Sequence, residues 1–136
     1  MANVETMRNL GTSAIPNPMA MLLTQELELG LTRVQADSLA NLSRSFAVFA
    51  DSVWTPVAGY LAALPEVYQH GEAYARYVVA RERTVDYLLT LVPYANGVLS
   101  GSQQRKLPLQ ISNFLDRRVL QFLRSSSAGD ARPLSR

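Results

Sequence analysis

The 136-residue chain contains no cysteine and a single histidine, His70. Without cysteine there is no disulfide framework, no thiol nucleophile and no cysteine-ligated zinc. His70 lies in the polar stretch 68–71, with no other histidine to share a metal ion, and we expect it at the surface. The sequence also lacks a phosphate-binding glycine loop, a nucleophile elbow and an HExxH motif. We therefore expect no enzyme activity, no metal site and no cofactor.

Long apolar runs are missing as well. No stretch approaches the roughly 20 apolar residues that a membrane-spanning helix needs. Residues 1–18 are polar and interrupted, whereas a secretory leader contains an apolar run of roughly 7 to 15 residues. No repeated alternation typical of strands occurs either. We predict a protein without a transmembrane segment and without an export leader of its own.

Apolar residues instead recur three and four positions apart, which indicates amphipathic helices. We predict helices at 18–29 after an Asn17 cap, at 33–64 with a bend or break before Pro56, at 72–92 ending at Pro93, at 102–107, and at 117–124 after an Asp116 cap. The two long helices are joined by a short loop, so they should lie antiparallel. The predicted fold is all-α, with four to five helices around a long antiparallel helical hairpin.

The same pattern divides the chain into three parts. We predict an N-terminal extension at 1–16, a helical domain at 17–124, and a flexible or partner-held tail at 125–136, where serine, glycine and proline accumulate.

A short pattern occurs twice, as Leu31-Thr32-x-x-Gln35 and as Leu99-Ser100-x-x-Gln103. Thr32 and Ser100 are suited to capping a helix, and a glutamine three residues later can complete a capping box. Gly30, just before the first copy, suits the left-handed end of the preceding helix. The simplest interpretation is two ordinary helix caps.

The paired pentapeptides resemble the LTxxQ repeats of the Spy/CpxP family, which are small all-helical periplasmic proteins of the bacterial envelope stress response. A broader likeness over residues 17–123, including Leu107-Pro108 and Phe114-Leu115-Asp116, resembles the helical extension at the C-terminus of some outer-membrane receptor-like proteins. The chain departs from the metal-responsive members in lacking histidine-rich tracts. The resemblance implies a Spy/CpxP-like fold and a periplasmic or membrane-peripheral location, whereas the missing leader leaves the cytoplasmic face as an alternative.

Charge is distributed unevenly along the chain. Residues 1–70 carry three basic and six acidic side chains, whereas residues 71–136 carry ten basic and five acidic ones. We predict that the basic end contacts a protein partner or an anionic membrane surface through Arg105, Lys106, Arg117, Arg118 and Arg124. The alternative is a solvated basic face.

Trp54 follows Val53 by one position and so falls at the border of the apolar stripe of its helix, where an exposed indole could anchor a protein partner. Nucleic acid is an unlikely ligand, because the aromatic residues and the positive charges lie in different parts of the chain.

Two functional hypotheses follow. In the first, the chain is a non-catalytic accessory subunit of a larger, membrane-associated bacterial assembly. In the second, which the resemblance implies, it is a chaperone or envelope-stress modulator that binds unfolded clients.

Overall fold

A computed structural model describes the backbone of residues 15–131 and the side chains of residues 15–125. Within this part the chain forms helices and no strand. The helices are α1 (Pro18–Thr24), α2 (Glu26–Leu29), α3 (Arg33–Ala62), α4 (His70–Val98), α5 (Gly101–Arg105), α6 (Leu109–Ser112), a 3-10 helix (Asn113–Leu115) and α7 (Arg117–Ala131). The all-α prediction is confirmed. The predicted count of four to five helices is too low for the described residues, because two segments are each divided into short helices.

Helix α1 begins as its sequence predicts. The Asn17 side chain accepts a hydrogen bond from the backbone N–H of Ala20 (3.2 Å), and Pro18 occupies the first turn, where a missing N–H costs nothing. The amide of Asn17 also donates to the backbone oxygen (3.0 Å) and hydroxyl (3.1 Å) of Ser43, so the cap ties α1 to α3. The predicted single helix is interrupted at Gln25, and α2 ends at Gly30 with φ of 66°, the left-handed conformation expected there.

Helices α3 and α4 form the predicted long hairpin. Ring contacts join Phe49 to Tyr87, with centroids 4.2 Å apart, and Trp54 to Tyr77, with centroids 5.5 Å apart. Nearer the connecting loop, the guanidinium of Arg76 lies 4.1 Å from the centroid of the Tyr60 ring. As the residue numbers of the contacting side chains increase along α3, those of their partners on α4 decrease, so the two helices are antiparallel.

Each long helix contains a proline, and neither proline ends its helix. Helix α3 is unbroken through Pro56, and α4 continues six residues beyond the predicted end to Val98, through Pro93 and Gly97. An interior proline costs about 3 kcal/mol. In α4 the segment around Pro93 buries Leu91, Val92 and Ala95 in the core, and burying one large apolar side chain contributes roughly 1.5 to 3 kcal/mol. This burial explains why the helix continues.

The C-terminal helices cover the rest of the core. The carboxylate of Asp116 accepts from the backbone N–H of Arg118 (2.8 Å), which confirms the predicted cap of α7. The side chain of Asn96 donates to the backbone oxygen of Leu115 (3.0 Å) and joins α4 to the 3-10 helix. Helix α7 continues past its predicted end at residue 124 to Ala131, so the backbone of residues 125–131, which we assigned to a flexible or partner-held tail, is helical. Extending an existing helix needs no new nucleation, so weak helix formers can follow. Residues 132–136 lie outside the described residues.

One core runs through the described part of the chain. Phe46 is buried, as the apolar stripe predicts, and Ile15 is buried too, although the predicted extension 1–16 would place it outside the domain. Residues 1–14 of that extension lie outside the described residues. The largest side chains with almost no exposure are Trp54, Ile15, Met19, Leu22, Leu39, Leu88 and Leu120.

Candidate functional site

Both copies of the pentapeptide form complete capping boxes. At the start of α3, the Thr32 hydroxyl accepts from the backbone N–H of Gln35 (3.1 Å), and the Gln35 side-chain oxygen accepts from the backbone N–H of Thr32 (2.9 Å). At the start of α5, Ser100 and Gln103 repeat both bonds with the same lengths, 3.1 and 2.9 Å. The predicted caps are confirmed at both positions.

The two boxes meet in space. The Nε2 of Gln35 donates to the Oε1 of Gln103 (2.8 Å), and the Nε2 of Gln103 donates back to the Oε1 of Gln35 (3.1 Å). The two glutamines therefore form a reciprocal amide pair between residues 68 positions apart. We call the four residues Thr32, Gln35, Ser100 and Gln103 the clasp.

Each glutamine side chain of the clasp also donates to backbone carbonyls at the end of the helix that precedes the other cap. The Nε2 of Gln35 donates to the backbone oxygen of Val98 (2.8 Å), and the Nε2 of Gln103 donates to those of Leu29 (3.2 Å) and Gly30 (3.3 Å). These carbonyls end α4 and α2, where helical partners are missing. Each glutamine therefore caps the N-terminus of its own helix and also bonds to carbonyls at the C-terminus of another helix.

The leucines of the two pentapeptides are also used internally. Leu99 is buried in the core, and Leu31 is partly buried against it. Gln103 is one of two buried polar residues in the described part of the chain, and its bonds provide partners for both amide atoms. The pentapeptides therefore form a structural joint that positions α3, α4 and α5.

The structure corrects the prediction for Trp54. Its side chain is only 1% exposed, so it is no surface anchor. The indole N–H donates to the hydroxyl of Thr84 (2.9 Å), and that hydroxyl donates to the backbone oxygen of Ala80 (2.8 Å). Thr84 on α4 provides a buried hydrogen-bond acceptor for the indole. Trp54 can therefore lie in the hairpin interior, although it is at the border of the apolar stripe.

Four of the five predicted basic contact residues are exposed. Arg105 ends α5, Lys106 follows it, and Arg117 and Arg118 begin α7. The structure brings Arg117 beside Gln104 in a shallow hollow that Asp116 also lines. These four side chains are accessible to an anionic partner.

Arg124 is already paired within the chain. Its guanidinium binds both carboxylate oxygens of Asp86, at 2.6 and 3.2 Å, and joins α7 to α4. The hydrogen bond and the charge of Asp86 raise the pKa of Arg124 above its ordinary value.

An open surface lies along the contact between α3 and α4. It consists of two hollows of about 400 and 780 Å³. They are linked by a contact between their linings, in which the guanidinium of Arg83, from the first hollow, lies 5.9 Å from the centroid of the Phe49 ring, from the second. We call this surface the seam groove. Its apolar and aromatic lining residues are Val48, Phe49, Val53, Val57, Ala75, Val79, Ala80 and Tyr87, and the larger hollow is also lined by Asn41, Ser45 and Ser52.

Exposed arginines border the seam groove. Arg44 lies on the α3 side, and Arg76 and Arg83 lie on the α4 side. Arg76 stacks on Tyr60 and also pairs with Glu72 (3.2 Å), which is the one acidic residue among the described residues that line the groove. The groove therefore combines an apolar floor with a net positive rim.

Residues 15–131 contain neither a cluster of metal-ligating side chains nor a membrane-spanning helix. No group of three or more histidine, cysteine, aspartate or glutamate side chains lies close enough to hold a metal ion. Over the same residues, none of the helices combines the length and the hydropathy that crossing a bilayer demands.

No family model, curated protein or solved structure matches this chain. The resemblance to the Spy/CpxP repeats therefore remains a prediction.

Sequence reasoning missed the amide pair and the seam groove. The two pentapeptides have the same internal spacing, and this was a signal for the amide pair. Two glutamines that each complete a capping box have side-chain amides in equivalent positions. The groove had no comparable signal. Its rim residues, such as Arg44 and Arg83, lie 39 positions apart in the sequence and share a surface only because α3 and α4 pack together.

Proposed function

We propose that this chain is a non-catalytic protein-interaction module, an accessory subunit of a larger, membrane-associated bacterial assembly. The observation that carries the proposal is the seam groove. An open apolar surface with arginines at its edge, built on two packed helices, has the composition of a protein-binding surface.

Exposure within the groove supports this assignment. Val48 is 70% exposed and Val79 is 54% exposed, beside the partly buried ring of Phe49. Arginine is enriched in binding hot spots, and apolar contacts around a hot spot exclude water from it. A partner that covers Val48 and Val79 would remove both side chains from water and gain the hydrophobic free energy of that burial.

The exposed basic side chains could supply a second contact. Arg105, Lys106, Arg117 and Arg118 can attract an acidic protein surface or anionic lipid headgroups. Contacts of this kind weaken as salt is added. This second contact fits a location at a membrane face, either periplasmic, as the family resemblance implies, or cytoplasmic.

A second candidate is a chaperone that binds unfolded clients. It is favoured by apolar side chains that are exposed away from the groove, since a protein that holds varied clients benefits from dispersed apolar contacts. Leu27 is 91% exposed, Leu109 is 73% exposed and Phe122 is 68% exposed. These residues lie on three different helices.

Purification of the native protein from membranes and extracts separates the two candidates. A fixed subunit should elute with one partner at a constant molar ratio. A chaperone should elute free and should suppress aggregation of unrelated unfolding proteins. A free protein that protects no client would contradict both candidates.

A pair of matched variants connects the result to the groove. Val48→Asp places a charge on the exposed groove floor, whereas Val67→Asp makes the same change in the loop between α3 and α4, where Val67 is 88% exposed. The proposal expects Val48→Asp to lower the amount of co-purified partner at least tenfold, and Val67→Asp to leave it unchanged. Equal recovery with both variants would remove the groove from the binding surface.

A further inference from the structure

Resting on the proposed function, we infer that the partner places an amphipathic α-helix in the seam groove, with carboxylates along the flanks of its apolar face. Three observations carry this inference: the backbone of the groove walls, the length of the groove, and the charge of its rim.

The backbone of the walls favours a helical partner. Both sides of the seam groove belong to long helices, α3 and α4, whose interior N–H and C=O groups are bonded within each helix. The groove therefore has no open strand edge that could pair with an extended peptide. A helix satisfies its own backbone and can bury a stripe of side chains between two other helices.

The length of the groove sets the length of the partner helix. On α3 the lining residues extend from Asn41 to Val57. At about 1.5 Å of rise per residue this span is about 24 Å, which corresponds to between four and five turns of a partner helix, or about 16 residues.

The rim sets the charge of the partner. Arg76 and Arg83 are seven positions apart on α4, which places them about two turns apart on one side of the groove. Arg44 borders the other side, on α3. Arg76 is restrained by Tyr60 and Glu72, and Arg83 by Phe49, so less side-chain entropy is lost when the two guanidiniums bind.

A matching helix would carry carboxylates seven residues apart on one flank, to face Arg76 and Arg83, and a further carboxylate on the other flank to face Arg44. Arginine binds carboxylates through two parallel hydrogen bonds, which makes such a match specific as well as attractive. A helix with lysines at these positions would meet like charges.

The test uses the full chain and synthetic helical peptides of 18 residues with a leucine stripe. One peptide carries glutamates at the flanking positions, and its matched control carries lysines there. Fluorescence anisotropy measures both affinities at low and high salt. The inference expects the glutamate peptide to bind at least tenfold more tightly at low salt, with the difference shrinking as salt rises.

Variants of the chain locate the binding. Arg83→Glu should weaken the glutamate peptide at least tenfold and strengthen the lysine peptide. Val79→Asp should weaken both peptides. The controls are Arg33→Glu, at an exposed arginine in the first turn of α3 outside the groove, and Val67→Asp, and both should stay within twofold of the unchanged chain. Circular dichroism establishes that each variant is folded.

Equal affinity for the two peptides, or binding that ignores Arg83→Glu and Val79→Asp, would overturn the inference. Binding to vesicles of anionic lipid that is lost in Arg83→Glu, with no binding of either peptide, would also overturn it and assign the rim to a lipid surface. If the native partner still co-purifies at a constant ratio while neither peptide binds, the inference fails and the proposed function stands.

Discussion

The clasp and the seam groove are both made where helices meet, yet they use their polar groups in opposite ways. In the clasp, each glutamine amide bonds to groups of the same chain, and Gln103 is buried. In the seam groove, the apolar side chains of Val48 and Val79 are exposed and three arginines face solvent. The polar groups of the clasp have their hydrogen-bond partners within the fold, whereas the exposed side chains of the groove remain accessible to a partner molecule.

This difference separates stability from binding. Changes in the core or the clasp should lower the free energy of unfolding, because they leave a cavity or unpaired buried groups. Changes at the exposed groove residues, such as Val48 and Val79, should leave stability almost unaltered and act on association alone. The following predictions test that separation, from the largest expected change in stability to the smallest.

The largest loss is expected in the core that supports both regions. Phe46→Ala should lower the free energy of unfolding by about 3 to 5 kcal/mol, because Phe46 is almost fully buried and its removal leaves a cavity. Urea denaturation followed by circular dichroism measures the loss. A cost under about 1 kcal/mol would mean that the core collapses around the missing ring.

The clasp should come next. Gln103→Ala should cost about 2 to 3 kcal/mol, since it removes the Gln35 amide's bonds to Gln103 and leaves the carbonyls of Leu29 and Gly30 without their side-chain donor. Gln121→Ala, at an exposed glutamine of α7, is the matched control and should lie within about 0.5 kcal/mol of the unchanged chain.

A double-mutant cycle sharpens that prediction. Gln35→Ala and Gln103→Ala should together cost less than the sum of the single changes, because each one already breaks the shared amide pair. Additive costs would show that the two boxes act independently in solution.

The hydroxyl caps should have smaller effects. Thr32→Ala and Ser100→Ala should each cost about 1 kcal/mol, because each removes one acceptor for a backbone N–H and leaves the glutamine bonds in place. Thermal and urea denaturation of both variants give the comparison. Neutral results at both positions would mean that the caps add nothing to stability, and the pentapeptides would then become candidates for contact with a partner.

The groove should show the smallest change in stability. Val48→Asp should alter the free energy of unfolding by no more than about 0.5 kcal/mol, because Val48 is exposed on the surface of α3. The same variant should lower partner binding at least tenfold. A large loss of stability would show that Val48 supports the fold, which would contradict the separation between the two regions.

Local signals in the sequence determined much of the fold. The helical periodicity, the Asn17, Thr32, Ser100 and Asp116 caps and the left-handed Gly30 are all present as predicted. Such features depend on residues within one or two helical turns, and for that reason the sequence alone is enough to locate them. The antiparallel hairpin also followed from local information, since a short loop allows two long helices few other arrangements.

Only the tertiary structure decided where those helices end, what Trp54 contacts and what the glutamines do. In isolation Pro93 is a helix breaker, and residues 125–131 have the composition of a tail. Both nevertheless lie within helices. The hydrogen bond to Thr84 allows Trp54 to be buried. The hydrogen bonds between Gln35 and Gln103 join two helix caps into one structural joint. Each of these results depends on contacts between residues distant in sequence, whose free energies outweigh the local preferences that sequence patterns record.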